Sequence, residues 1–404
     1  MKFKVVSLGC RTNQYEGQAF ADQLEASGYT RAKEGEEAKL CIVNTCTVTE
    51  SADASSRHHI RQLVRDNPGA DVVVTGCYAE RNPAAVAAIE GVTRVVPNGQ
   101  KESLLPVVFP EKEWPEFAIR HFEAHTRAFV KVQDGCNSFC TYCIIPYVRG
   151  RSRSRPLEDI LREVETLLAQ GFLEIVLTGI NIGDYEDGDK RLADLVRAVD
   201  CVPSLKRLRV SSIDPDEVDD NLMDVILNGT NTCKSMHVVL QSGSNVILKR
   251  MNRKYTRQIF LETVDKLQKA SPDFTFTTDV IFGFPGETEH DFMETLDVMD
   301  QVGFAAVHAF PFSARPRTRA ATYPNQVVDG IKKERKIRIQ QASEKGAYRT
   351  REKYVGKTVT ILTESDNGGH TDNFLYVRLP QKSVESNRLV SVTLTGNSPE
   401  GLLG

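Results

Sequence analysis

The sequence contains no run of roughly 18 consecutive apolar residues, which is the length that a helix needs to cross a bilayer. It also lacks an export signal, because the first residues, MKFKVVSLGC, place only a short apolar stretch before a polar segment. We therefore expect a protein that has no membrane anchor and resides in the cytoplasm.

An excess of positive charge is also missing. The 51 Lys and Arg residues are outnumbered by 54 Asp and Glu residues, so the net charge is −3 and no global field attracts nucleic acid. Any such surface must be local, and the segment 313–357 supplies one, with thirteen basic and four acidic residues. The length of 404 residues, 40% of them hydrophobic, is typical of a globular protein with roughly two to four domains.

Disulfides are not expected, since the cytoplasm is reducing and nine cysteines cannot all pair within one chain. Cys10, Cys46 and Cys77 each follow an apolar β-branched run, and helical periodicity lies between these units. This βαβαβ pattern predicts a parallel sheet that brings the three thiols to one edge. Periodicity alone leaves open a second interpretation, in which each thiol packs as a small residue at a strand end. The expected strands are 4–9, 40–45 and 71–76, and the expected helices are 14–27 and 52–65.

Strands and helices alternate again after a proline-containing linker at 97–125. Six such units predict an α/β fold with a partial (β/α)6 TIM-like barrel, because eight units would need more chain. The expected strands are 128–133, 174–178, 205–210, 235–240, 274–282 and 305–310. The expected helices are 156–170, 192–199, 216–227, 257–270 and 289–302.

The last part of the chain has the short, alternating strands of a small β protein. This pattern predicts an OB-like five-stranded β-barrel, a fold that often binds oligonucleotides. Phe374 and Tyr376 share one face of a predicted strand, where stacking on RNA bases and packing in the core are the two alternatives, and we expect them to face the core. The expected strands are 357–363, 373–379 and 389–395. The predicted domains are 1–100, 126–345 and 350–404.

Cys136, Cys140 and Cys143 form a C-x3-C-x2-C motif directly after the first strand of the second domain. Three thiolates at this spacing can ligate three irons of a 4Fe-4S cluster and leave the fourth iron open. A structural zinc site would need a fourth ligand nearby, and no histidine occurs between His125 and His237. Packing of three buried cysteines as small hydrophobic residues is the alternative.

This motif and its position resemble the radical S-adenosylmethionine (SAM) superfamily, in which the open iron chelates SAM and an electron from the cluster cleaves SAM to a 5′-deoxyadenosyl radical. The segments LGCRTNQYE, VNTCTVTESA and VTGCYAE resemble the N-terminal domain of the methylthiotransferase family within that superfamily. The resemblance continues through VLTGINIGDY, LRVSSIDPDE and TTDVIFGFPGET to a C-terminal segment similar to the RNA-binding TRAM domain.

The resemblance implies an enzyme that replaces a C–H bond by C–S–CH3, with SAM as the source of both the radical and the methyl group. The group most similar in its motifs acts at C2 of N6-threonylcarbamoyladenosine at position 37 of tRNA; isopentenyladenosine in tRNA and an aspartate of ribosomal protein S12 are the alternative substrates. The implied partners are the tRNA anticodon loop and an electron donor such as flavodoxin or ferredoxin. A non-catalytic RNA-binding iron–sulfur protein is the competing hypothesis from another class.

The resemblance also implies the residues of the site. A catalytic 4Fe-4S cluster would be held by Cys136, Cys140 and Cys143, and an auxiliary 4Fe-4S cluster by Cys10, Cys46 and Cys77. Contacts to SAM would come from Thr178, Asn181, Ser211, Ser212 and Gln241, which lie at or just past strand ends, where ordinary turn chemistry is the alternative role. Arg149 would contact phosphate or the SAM carboxylate.

Two residues depart from the family pattern. Arg317 stands where glycine is common, and Phe312 stands where tyrosine is usual. Because arginine disfavours a positive φ angle, we expect a differently shaped loop near the active face. The cysteines that match no motif, Cys41, Cys201 and Cys233, are expected to pack in the core.

Overall fold

The computed structural model describes residues 1–120, 126–380 and 384–404. The elements of its first part are β1 (Lys2–Ser7), α1 (Arg11–Ala26), β2 (Thr30–Arg31), β3 (Leu40–Thr45), α2 (Glu50–Asp66), β4 (Asp71–Gly76), α3 (Cys77–Arg81), α4 (Pro83–Ala87), β5 (Arg94–Val95) and α5 (Leu104–Val108). The five strands form one parallel sheet in the order β2-β1-β3-β4-β5, which confirms the predicted parallel sheet.

Both faces of this sheet are covered, so its central strands are continuously apolar. Leu40 and Ile42 of β3 pack on one face with residues of α1, while Cys41 and Val43 pack on the other with residues of α2. Cys41 therefore lies in the core as expected, and burial raises the pKa of its thiol to about 11. Helix α5 also packs against the first face. The packed first part therefore extends past residue 97, where the predicted linker begins. Residues 121–125 of that linker lie outside the described residues.

The second part contains β6 (Arg127–Lys131), β7 (Gln133–Asp134), α6 (Ile145–Val148), β8 (Arg153–Ser154), α7 (Leu157–Ala169), β9 (Glu174–Thr178), β10 (Glu186–Asp187), β11 (Lys190–Arg191), α8 (Leu192–Asp200), β12 (Arg207–Val210), α9 (Asp220–Asn228), β13 (Ser235–His237), α10 (Asn245–Arg250), α11 (Arg257–Ala270), β14 (Thr275–Phe282), α12 (Glu289–Val302), β15 (Ala306–Pro311) and α13 (Asp329–Glu352). Parallel pairs join β12-β9-β6 and β13-β14-β15, and single bridges from Leu208 to Thr232 and from Ile213 to Val238 connect the two sheets. All six predicted strands are present, while closure into a barrel stays a prediction.

Helices α11 and α12 have the predicted bounds, and α9 begins four residues later than predicted. The delay arises because Pro215–Glu217 forms a 3-10 turn and the Asp219 carboxylate then caps α9 by accepting a hydrogen bond from the Leu222 N–H. Cys233 is buried as expected, but Cys201 is exposed, so the prediction that it packs in the core was wrong.

The third part contains β16 (Thr358–Thr363), β17 (Gly368–Thr371), β18 (Tyr376–Arg378), β19 (Leu389–Thr393), β20 (Gly396–Ser398) and β21 (Gly401–Leu403). These strands form a mixed sheet in the order β19-β16-β17-β18-β21-β20, with six described strands where the pattern predicted five. Leu375, Val377 and Leu379 supply its core. Phe374 and Tyr376 are half-buried on the opposite face, so the expectation that they are core residues was wrong.

The third part packs against the amino ends of the strands in the second part. Arg209 donates hydrogen bonds to the carbonyl oxygens of Asp372 (2.7 Å) and Thr371 (2.8 Å), and Arg207 donates to those of His370 and Thr360 (both 2.8 Å). The carboxyl ends of these strands are thereby left to face the first part. Among the helices that the structure describes, none is long and apolar enough to span a membrane.

Candidate cluster and cofactor site

Cys10, Cys46 and Cys77 lie at the carboxyl ends of β1, β3 and β4, which are adjacent strands of one sheet. Cys46 and Cys77 follow their strands directly, whereas Leu8 and Gly9 separate β1 from Cys10. The pKa of the Cys46 thiol is raised to about 12, mainly by burial, with smaller contributions from the neighbouring Cys77 and Cys10 thiols. The topology thus brings the three thiols together at one edge.

Glycines keep this edge compact. Gly76 precedes Cys77 with φ +94°, and a β-carbon there would lie 2.5 Å from the Thr45 backbone nitrogen. Gly9 precedes Cys10, also with φ +94°, and a β-carbon there would lie 2.7 Å from the Cys46 sulfur. A side chain at either position would displace the strand ends that carry the thiols.

Cys136, Cys140 and Cys143 lie in the loop between β7 and α6. The Cys143 N–H donates to the Cys140 carbonyl (3.0 Å), and the Ser138 N–H donates to the Cys136 sulfur (3.4 Å). Arg253 donates to the Cys140 sulfur at 3.0 Å. Burial raises the pKa of Cys143 to about 12, and the proximity of the Cys140 thiol adds to the shift. The Arg253 guanidinium therefore lies beside this set of thiols, where its charge can offset that of a thiolate.

The two sets of cysteines meet across one apolar contact. Cys77 packs in a buried cluster with Ile144, Ile145 and Val148, and the partly buried Cys136 and Cys143 pack against the same cluster. Helix α3, which begins at Cys77, contacts α6, which follows Cys143. The carboxyl edges of the two sheets therefore face each other.

Both donor sets consist of three thiols, which is the ligand type of iron–sulfur clusters. Within the described chain, no three His, Cys, Asp or Glu side chains are close enough to hold one metal ion. In a 4Fe-4S cluster each thiolate binds a different iron, so its sulfurs need not converge on a single point. The chemistry of two all-thiol sets, five of whose six cysteines are buried or partly buried, fits this geometry.

A buried network of charges surrounds the contact between the two sets. Glu16 of α1 lies 2.6 Å from the Lys101 Nζ and 3.1 Å from the Arg149 guanidinium. Asp134 of β7 lies 2.9 Å from Lys101 and 2.7 Å from Arg149. Lys131 lies 3.6 Å from Glu16 and 3.8 Å from Asp134. We call these five residues the inter-domain charge network, because they join the first and second parts.

Arg149 occupies the centre of this network. Besides Glu16 and Asp134, its guanidinium donates to the Asn13 side chain and to the Cys77 sulfur (3.3 Å). The sequence led us to expect a contact with phosphate or with the SAM carboxylate. In the structure its buried donors are instead used by protein groups that connect the two cysteine sets.

The residues expected to contact SAM lie together at the carboxyl ends of β9, β12 and β13. Thr178 ends β9, and the Asn181 side chain donates to Glu217 at 2.9 Å. The Ser211 hydroxyl and the Gln241 amide oxygen are buried without a hydrogen-bond partner in the described chain. Ser212, next to Ser211, is partly exposed. Buried polar atoms rarely stay unpaired, so these two fit a polar ligand such as SAM.

Sequence reasoning missed two charged residues near this region. Glu217 has a pKa of about 7, because burial raises it and the nearby Asp214 carboxylate adds to the shift. Arg253 forms an ion pair with Asp214 in addition to its contact with Cys140. The segment SSIDPDE held the signal for Glu217 and for Asp214, the partner of Arg253, since it concentrates carboxylates directly after a strand.

The loop at Arg317 has the positive φ angle that favours glycine. Arg317 adopts φ +74°, so the expectation that arginine would exclude a positive φ was wrong. Its guanidinium lies 5.1 Å from the ring centre of Tyr147 in α6, a contact that offsets part of the strain. Phe312 is buried and packs edge-on against Phe284 at 5.3 Å. Nothing in the structure explains the loss of a hydroxyl there.

Comparison with known proteins finds two family models that match the chain. The model of the radical SAM superfamily matches residues 130–299, and the model described as uncharacterized protein family UPF0004 matches residues 2–97. The chain is 49% identical to the threonylcarbamoyladenosine tRNA methylthiotransferase MtaB of Chlamydia pneumoniae, covering 100% of this chain and 97% of the relative. It is 38% identical to the enzyme of the same name from Bacillus subtilis, covering 92% and 88%.

A solved structure has a related fold. The radical SAM methyltransferase TsrM from Kitasatospora setae, with cobalamin and a 4Fe-4S cluster bound, superimposes with a TM-score of 0.60 at 16% identity, covering 79% of this chain and 76% of that chain. The fold and the Cys136 loop define a radical SAM protein, a class that uses SAM and a 4Fe-4S cluster. The full-length similarity narrows the assignment, and the chain belongs to the methylthiotransferase family of radical SAM enzymes.

Proposed function

We propose that this chain transfers a methylthio group to C2 of N6-threonylcarbamoyladenosine at position 37 of tRNA. One observation carries the proposal: two separate sets of three cysteines lie at the carboxyl edges of two sheets that face each other. A C2–H bond of adenine is too weakly acidic for general-base chemistry, so its replacement needs radical chemistry and a separate sulfur source. The names of the two relatives support the choice of nucleoside.

The six cysteines divide into two roles in this proposal. Cys136, Cys140 and Cys143 would hold the 4Fe-4S cluster that binds SAM, and Cys10, Cys46 and Cys77 would hold an auxiliary 4Fe-4S cluster. When bound, these groups supply the radical, the sulfur and the methyl group. The unpaired Ser211 hydroxyl and Gln241 amide, together with Thr178, Asn181 and Ser212, would orient SAM between the two sets. The fully engaged Arg149 would fix the distance between them.

The tRNA would be held by the third part of the chain and by helix α13. Some basic residues of the 313–357 segment are paired, as Arg335 is with Glu287 at 2.5 Å. Four lysines of the segment are exposed and form no ion pair among the described residues: Lys333, Lys336, Lys345 and Lys353. An exposed basic helix beside a small β-sheet suits the phosphates of an anticodon stem-loop, whose unpaired bases can leave the stack at low cost.

A small electron carrier such as flavodoxin or ferredoxin would supply the electrons.

The test is anaerobic reconstitution with iron and sulfide, followed by incubation with SAM, reductant and tRNA that carries threonylcarbamoyladenosine. We expect a methylthio adduct on that nucleoside and 5′-deoxyadenosine from SAM, both detected by mass spectrometry. C143A should lose both products, whereas C201A, which alters an exposed cysteine outside both sets, should keep them. A parallel reaction uses tRNA that carries isopentenyladenosine, and an adduct in that reaction alone would overturn the nucleoside assignment. A protein with both clusters that cleaves no SAM would overturn the enzyme assignment.

A further inference from the structure

A cavity of about 470 Å³ lies where the three parts of the chain meet. Arg11 and Gln14 of α1 line it from the first part, Phe129 and Val176 from the strands of the second, and Phe374 from the third. Its volume falls in the roughly 300–1,000 Å³ range of small-ligand sites. The residue before Arg11 is Cys10, so the cavity begins beside the proposed auxiliary cluster.

Three guanidinium groups line this cavity, and two of them are already paired. Arg127 lies 2.7 Å from Glu364, and Arg209 lies 2.6 Å from the buried Glu174. Arg11 is solvent-accessible and has neither a hydrogen bond nor an ion pair with any residue that the structure describes. Its guanidinium carbon lies over the Phe129 ring, 5.6 Å from the ring centre. Among the described guanidinium groups that line the cavity, Arg11 is therefore the one whose donors are free for a ligand.

The acidic side chains at the cavity wall do not pair with Arg11, because each is held by another residue. Glu364 is bound by Arg127 and lies 2.6 Å from His370, and Asp366 accepts a hydrogen bond from the Tyr376 hydroxyl. Burial and the positive charges of Arg127 and Arg209 lower the pKa of Arg11, and the carboxylates of Asp279 and Glu174 oppose the shift without cancelling it. An anionic ligand would relieve the repulsion from the two arginines. A guanidinium fork matches a carboxylate with two parallel hydrogen bonds.

We propose that Arg11 binds the carboxylate of the threonylcarbamoyl group and thereby selects the modified nucleoside. This inference rests on the proposed function, because the N6 substituent of that nucleoside ends in a free carboxylate. An isopentenyl substituent has no charged group and would leave Arg11 unpaired, so the same contact would discriminate against it. Arg11 is a specificity residue in this scheme, since it touches the substrate away from the reacting carbon.

The test measures binding separately from turnover. Reconstituted full-length protein, kept without reductant, is titrated with a fluorescent anticodon stem-loop that carries threonylcarbamoyladenosine, its methyl ester or plain adenosine at position 37. The protein should bind the free acid about tenfold or more tightly than the ester or adenosine, because a hydrogen-bonded charge is lost in both. R11Q should bring the three affinities together without weakening adenosine binding, and R11K should restore part of the preference. R162Q, which alters an exposed arginine of α7, should match the parent protein.

The outcomes separate this inference from the proposed function. If the parent protein binds the acid and the ester equally, or if R11Q keeps the preference for the acid, the role of Arg11 is refuted even when the methylthio product forms. If the parent protein prefers the acid but never forms the product with reductant and SAM, the binding role stands and the proposed reaction fails. The ester comparison uses the unaltered protein, so equal binding of acid and ester refutes the role of Arg11 even if R11Q folds poorly, and R11K then tests Arg11 in a second variant.

Discussion

Glu16 offers a direct test of the inter-domain charge network. Its side chain is completely buried, and it accepts a hydrogen bond from Asn44 (3.0 Å) besides its contacts with Lys101 and Arg149. Glu16→Gln keeps the size and the hydrogen-bonding capacity of the side chain but removes its charge. The three cations of the network would then face one buried carboxylate fewer.

The magnitude follows from the pKa of Glu16. Burial by itself would raise this pKa, but Arg149, Lys101 and Lys131 outweigh it and lower the value from 4.5 to about 2. One pKa unit corresponds to about 1.4 kcal/mol. The folded protein therefore favours the charged form of Glu16 over the neutral form by about 3 kcal/mol more than the unfolded chain does. Loss of one partner from a buried ion pair costs a similar amount, about 3–5 kcal/mol. We therefore expect E16Q to lose about 3 kcal/mol in the free energy of unfolding.

Urea denaturation of the cluster-free protein measures this difference, with E90Q as the control, because Glu90 is exposed. The control should change the free energy of unfolding by less than about 0.5 kcal/mol. Because the folded-state pKa of Glu16 is lowered, its contribution is complete above about pH 4.5 and disappears as the pH falls toward 2. A loss below about 1 kcal/mol at pH 7, or a difference between E16Q and the parent protein that grows as the pH falls from 4.5, would refute the reasoning.

Three further predictions concern the cysteines, the strand ends and SAM. C46A and C143A should each retain about half of the iron of the reconstituted protein, but only C46A should still cleave SAM; equal loss of cleavage in both would contradict separate clusters. G76A should lower the free energy of unfolding by about 2 kcal/mol or more in urea denaturation, because the new β-carbon would meet the Thr45 backbone. An unchanged midpoint of the urea transition would show that the strand ends adapt. S211A should weaken SAM binding about tenfold in calorimetry while leaving stability unchanged, since its hydroxyl has no partner in the described chain; lowered stability would mean that the hydroxyl serves the fold.

The secondary structure of the first two parts was predictable because its signals are local. Strand 71–76 is a β-branched run that is buried on both faces, and its composition alone indicates a strand. Helix α12 has an amphipathic pattern and a capping residue, Thr288, which together indicate a helix and its start. The third part was harder to predict, because β17, β20 and β21 contain glycine and are short. Their pairing depends on partners elsewhere in the sheet and not on periodicity.

The positions of the cysteines were also predictable, whereas the roles of the charged residues were not. A thiol that follows a strand reaches the carboxyl edge whatever its neighbours are, so topology alone places it. Arg149 and Arg11 are both arginines next to a cysteine set, but one is buried among protein partners and the other lines a cavity. That difference depends in part on Glu16, which lies 133 residues from Arg149 in the sequence and meets it only in the folded chain.

The charge network makes a further prediction about catalysis. The contact of Cys77 with Ile144 and Val148 is apolar and non-directional, so by itself it would permit small shifts between the two cysteine sets. Arg149 adds directional bonds to Cys77 on one side and to Asp134 on the other. If these bonds set the distance between the sets, E16Q should still form 5′-deoxyadenosine at low temperature with full iron content, while the yield of methylthio product per 5′-deoxyadenosine falls. A displaced auxiliary site must lower the fraction of radicals that end in product. An unchanged ratio of methylthio product to 5′-deoxyadenosine would therefore mean that the network only stabilises the fold.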